Sequence, residues 1–269
     1  MVALATSTSG RRSTRTTQIE NATVMLTRTY RPLNTLKLVC KDIWVVDGPL
    51  IEFGTFLARL HFPTRMTIIH VGGGDLFIYS PTPLEPSLRA EIAAIGDPKW
   101  IIGPNKIHYW WVPQWQEAYP TAGVYLASGI EERAGDRIDF DHLPLVKRSG
   151  YPWDGAIETL PITGGFMTEV EFFHSSSRTL LLTDLIENFE PERLNRWERV
   201  LTRLGAVAAP DGQMPRDMRL TFKNQRAELK AAVEQMISWD PERVIIAHGL
   251  WFETDGTAEL KRAFRWLLG

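Results

Sequence analysis

The sequence predicts an α/β protein of two sheets covered on the outside by helices. Three observations predict it: strand-like runs lead the chain, a β-then-α passage follows before its middle, and strands and helices recur in the second half. Patterning alone does not separate this arrangement from another α/β layered one.

From Leu36 the pattern is β-rich. TLKLVCKDIWVVDGPL and FLARLHFPTRMTIIHV read as short strands broken by Asp-Gly, Gly and Pro, and HVGGGDLF reads as a hairpin turn into the next strand. PSLRAEIAAIG has helical spacing, with Leu88, Ile92 and Ile95 on one face and Gly96 ending it. KWIIGPN is a continuous apolar run of the kind a buried strand shows. VPQWQEAYP is expected to be a short helix and TAGVYLAS a strand. In the second half IETLPITG, MTEVEFFHS and RTLLLTDLIEN read as strands. An amphipathic helix is expected over residues 192–204, with Leu194, Trp197, Val200, Leu201 and Leu204 as its apolar stripe. A longer helix in FKNQRAELKAAVEQMISW, a buried strand in RVIIAHG and a C-terminal helix in TAELKRAFRWLLG complete the order.

Bulk properties bound the function. The chain has 269 residues, 44% of them hydrophobic, enough for one large core. A formal net charge of -2 does not resemble the footprint of a nucleic-acid binder. No apolar run approaches the roughly 18 residues that span a bilayer, so no membrane partner is expected. The one cysteine, Cys40, forbids an internal disulfide; it reads as a buried small residue and fits a reducing compartment, the cytoplasm. Residues 1–30, rich in Ser, Thr and Arg, read as a flexible tail in preference to a transit peptide, or as a segment ordered across a homodimer partner. Residues 31–269 read as a single domain.

Chemistry concentrates where three buried runs end. KWIIGPNKIH ends at Asn105 and His108, RTLLLTDL at Asp184, and RVIIAHG at His248. Two imidazoles and a carboxylate form a ligand set for one zinc or one iron ion. Each also has a plain structural role open to it: His108 packed among Tyr109, Trp110 and Trp111, Asp184 capping its turn, His248 bonding a carbonyl. His174, before the Ser-rich turn HSSSR, is expected at the opposite end. Ser80 in YSPTP lacks a nucleophile elbow.

The order of SP near residue 80, GPNKIH, EVEFFH with RTLLLTDL, and IIAHG is similar to the DUF4336 family, a divergent branch of the metallo-β-lactamase fold. The resemblance covers the chain from about Leu36 onward. It implies an αββα sandwich of two mixed sheets flanked by helices, with a site at one edge. It also implies that Asp184 stands where the bridging aspartate would and His248 where the last histidine would. The superfamily's His-x-His-x-Asp-His motif, ending on His108, falls on Gly103, Asn105 and Ile107, so two ligand positions are lost. A further histidine, expected in the turn around Gly164–Phe166, is absent. One reading is a hydrolase with at most one metal ion on His108, Asp184 and His248. Asn105, Tyr109, Trp110, Trp111 and Trp115 would then line a pocket for an ester, lactone or amide. The other is a metal-free member of the fold that binds a small molecule or performs acid–base chemistry with Asp184 and a histidine.

Overall fold

The computed structural model describes residues 29–55 and 58–269, without the side chains of 53–60. Two sheets face each other. The first has seven strands in sequential order: β1 (Lys37–Cys40), β2 (Ile43–Thr55), β3 (Ala58–Gly72), β4 (Asp75–Tyr79), β5 (Asp97–Gly103), β6 (Gly123–Ala127) and β7 (Leu143–Leu145). Its first three pairings are antiparallel and the remaining ones parallel. The second sheet is ordered β11 (Arg243–Ile245), β10 (Thr179–Leu181), β9 (Thr168–His174), β8 (Ile157–Thr163); β10 and β11 run parallel, and the other pairs antiparallel. Helices α1 (Pro86–Ala93), α2 (Val112–Ala118) and α3 (Ile130–Ala134) belong to the first half. Helices α4 (Arg196–Gly205), α5 (Arg216–Thr221), α6 (Arg226–Ser238), α7 (Gly256–Ala263) and α8 (Arg265–Leu268) belong to the second.

The expected short strands before residue 72 are instead one long hairpin of β2 and β3. A register shift between Asp47 and Leu50 absorbs the Gly48–Pro49 break, and Pro63 pairs opposite Leu50 without ending its strand. The β3–β4 turn takes three glycines at positive φ, Gly72, Gly73 and Gly74, as the hairpin reading of HVGGGDLF requires. Cys40 ends the edge strand β1 half-buried, short of the full burial expected of it.

Between the sheets lies an aromatic core. Trp153 stacks on Tyr151 and meets Phe77, Tyr125 and Phe172 edge-on. A second core lies between the smaller sheet and the helices beyond it, where Leu180, Leu182 and Val244 join Leu229, Val233 and Met236 of α6 and Leu260 of α7. Every residue of β9 is buried. Its Val170 and Phe172 join the inter-sheet core while Phe173 joins the helical one, the alternation that a strand covered on both faces must show. Among the described residues no helix is long and apolar enough to cross a membrane.

Candidate metal centre

Three loops bring the site together. His108 lies in the turn after β5, Asp184 just past β10, and His248 just past β11. All three are buried, and one donor atom from each lies within 4.8 Å of the others. His108 Nε2 stands 3.1 Å from His248 Nε2. Asp184 Oδ2 is 3.3 Å from His108 Nε2, and its Oδ1 is 3.3 Å from His248 Nε2.

The outer ring nitrogens decide what these atoms offer. His248 Nδ1 donates to the Pro63 carbonyl at 2.7 Å. A carbonyl only accepts, so Nδ1 holds the proton and the neutral ring turns a bare lone pair from Nε2 toward His108 and Asp184. His108 Nδ1 is hydrogen-bonded to Ser80 Oγ at 2.8 Å. Ser80 is held at φ 53, a strained value for a residue with a Cβ, which aims its hydroxyl at the imidazole. Donors bound to a tetrahedral ion at about 2.0–2.1 Å stand about 3.3 Å apart. The imidazole nitrogens have about that spacing, each stands at about that distance from one Asp184 oxygen, and the donor set suits a single ion.

Asp184 is braced from behind. Asn105 Oδ1 accepts from the backbone N–H of Ile107 and His108, which fixes its amide orientation. The amide nitrogen then donates to Asp184 Oδ2 at 2.6 Å and to Thr183 Oγ1. Glu169 Oε1 accepts from the backbone N–H groups of Thr183, Asp184 and Leu185, closing the turn that carries the aspartate. On the far side Arg65, itself buried, donates to the carbonyls of Ile246 and Gly249 and pairs with Asp47. Arg65 and Pro63, both on β3, thus hold the His248 loop at three carbonyl and imidazole contacts. Gly249, at φ 94, is needed there: a Cβ would lie 2.1 Å from the Asn188 carbonyl oxygen.

Charge follows geometry. Burial works against an ionised Asp184, but the two imidazoles outweigh it and hold the carboxyl well below the usual carboxylate range. Burial also opposes a charged His248, and Asp184 reverses the balance and raises its pKa. Burial, then the charge of Asp184, raises Glu169. Burial and Glu169 push Glu171 far above its ordinary value. Glu187 keeps part of its surface in solvent, yet burial of its carboxyl pushes the pKa up to about 8.

The pocket residues divide. Trp110 and Trp111 line a cavity with His108, Ser80, Pro81, Ile107, Ile51 and Thr64. Its volume is about 10 Å³, the space of one water. Asn105, Tyr109 and Trp115, expected on the same wall, lie elsewhere. Asn105 is fully buried behind Asp184. Tyr109 is packed in the inter-sheet core with its ring stacked on Trp110. Trp115 is wholly buried, its indole N–H donating to the Thr82 carbonyl. His174 sits at the end of β9 among Ser176 and Ser177, away from the centre. Sequence reasoning passed over Pro63, Arg65, Glu169 and Thr183. Only Glu169 carried a signal, being one of two acids in the strand-like run TEVEFFH.

Comparison with protein-family models and with curated proteins finds no match. Solved structures do match. The DIM-1 metallo-β-lactamase exposed to ceftazidime aligns with a TM-score of 0.60 at 12% identity, over 86% of this chain and 95% of that one. The FIM-1 metallo-β-lactamase from Pseudomonas aeruginosa, in its mono-zinc form, aligns at 0.53 and 11% identity, over 87% and 96%. The chemotaxis sensor ODP, solved with a peroxy diiron species, aligns at 0.51 and 14% identity, over 87% and 94%. Likeness at this level of identity speaks for architecture alone: the chain has the metallo-β-lactamase fold.

Proposed function

We propose that the protein is a metal-dependent hydrolase of the DUF4336 type, holding one zinc or iron ion on His108, Asp184 and His248 and acting on a small ester, lactone or amide. The carrying observation is the donor cluster. The two Nε2 atoms stand 3.1 Å apart, each lies 3.3 Å from one oxygen of Asp184, and the Pro63 carbonyl commits a proton of His248 to the outer nitrogen. Such a cluster can share one cation, a metal ion or a proton, among its members.

When bound, the ion would supply Lewis-acid polarisation of an acyl oxygen and acidify a water. The chain supplies the rest. Asn105 and the Glu169-closed turn keep Asp184 aimed, and the two imidazoles keep it ionised. Ser80 and Pro63 fix the two imidazole planes. Trp110, Trp111, Pro81 and Ile51 offer apolar surface for the acyl side of a substrate, and a cavity of one-water size means that this wall moves to admit one.

A metal-free acid–base reading rests on the same cluster, since Asp184 raises the pKa of His248 and a proton can take the cation's place. Elemental mass spectrometry of the purified protein separates the two. Near-stoichiometric zinc or iron, lost in His248→Ala, supports the hydrolase. No retained metal after reconstitution with each ion would sink it and leave the acid–base reading.

A further inference from the structure

Helix α4 is set inside out. Its only fully buried residue is Glu198, which forms a reciprocal capping box with Asn195. The apolar stripe at i, i+3 and i+7 faces solvent instead: Trp197 is 70% exposed, Val200 45% and Leu204 61%. Leu220, on the neighbouring helix α5, is 76% exposed. The two helices contact one another. Arg196, Arg199, Arg203 and Arg216, on the same two helices, are exposed as well.

We infer that this face docks on the anionic headgroup surface of a lipid bilayer. Charge chooses the occupant. A second copy set on the same face across a two-fold axis would bring Arg196, Arg199 and Arg203 against their own images, with Glu192 and Asp217 the nearby exposed acids. Residues 1–28 carry four arginines and one acid, so their charge does not complement the arginine rim. An anionic surface attracts both. Composition agrees, because exposed tryptophan and leucine beside exposed arginines are the side chains that an amphipathic helix lays into headgroups. The inference is independent of the metal reading. It departs from the expectation of no membrane partner, which rested on the lack of a spanning segment.

The test is flotation of the full chain with vesicles of phosphatidylcholine alone and with about a third phosphatidylserine. Binding to the anionic vesicles, weakened by salt and nearly absent on the neutral ones, is expected. Arg199→Ala with Arg203→Ala should weaken it about fivefold per arginine. Leu204→Gln with Leu220→Gln should weaken it about tenfold or more, these being exposed positions whose replacement leaves the melting temperature unchanged. Absence of binding to anionic vesicles overturns the inference. So does binding that neither pair of substitutions changes, which would place the contact in residues 1–28. A dimer in solution that Leu204→Gln with Leu220→Gln dissociates would assign the face to a second copy.

Discussion

The two halves of the site edge are built on opposite principles. One gathers electron-pair donors: His108, Asp184 and His248. The other, where the family resemblance would place histidines, is packed solid. At Gly103 a Cβ would stand 2.8 Å from Leu126 Cδ2 and 3.0 Å from Ile130 Cδ1. At Gly164 it would stand 2.6 Å from the Phe222 ring. Asn105, between the halves, turns its amide to Asp184 and its oxygen to the backbone. Around Gly103 and Gly164 side chains thus fill the space a Cβ would need, while Asn105 braces Asp184.

The largest effect should come from removing the anionic member of the donor half. Asp184→Ala leaves two imidazoles without their carboxylate, and metal affinity should fall by more than the roughly 100-fold typical of an outer-sphere partner, read by chelator competition. A wild-type-like affinity would break the assignment of the donor half. Next is an attempt to rebuild the packed half. Gly103→His should lower stability by about 1–3 kcal/mol or more, through overpacking against Leu126 and Ile130, and bind no additional ion. A stable variant holding a second ion would erase the contrast. Ser80→Gly removes the hydroxyl bonded to His108 without strain at positive φ. It should weaken metal retention about 10- to 100-fold while the melting temperature changes little.

The smallest effect concerns Glu187, whose charge is felt by His248. Its folded pKa of about 8 lies above the ordinary carboxyl value. The unfolded chain therefore loses this proton first, and stability falls as pH rises from the ordinary carboxyl range to about 8. Glu187→Gln removes that loss, so the melting temperature of the variant should gain on the wild type between pH 5 and 8. A constant difference across that range would show that Glu187 does not titrate as buried.

The donor half was legible because each donor ends an apolar run, at β5, β10 and β11, and buried strands that stop together deliver side chains to one edge. The braces were not. Pro63 read as a strand breaker, and nothing local shows that its carbonyl receives His248. Arg65 gave no signal, because the carbonyls of Ile246 and Gly249 that it holds belong to the other end of the chain. Aromatic neighbours gave no direction either: of Tyr109, Trp110, Trp111 and Trp115, only Trp110 and Trp111 reach the cavity. Periodicity showed that α4 has an apolar stripe, but a period does not say which way a stripe faces. Here Glu198 is the buried residue of the helix and the stripe at Trp197, Val200 and Leu204 is exposed.

The bond from His248 to the Pro63 carbonyl joins positions 185 residues apart, and His108 meets His248 across 140. A chain leaving the ribosome thus presents its long first hairpin well before the residue that hairpin must hold exists. The centre closes only once residue 248 has been made. A metal ion captured there reports a finished domain, and a nascent or truncated chain ending before residue 248 holds at most two of the three donors.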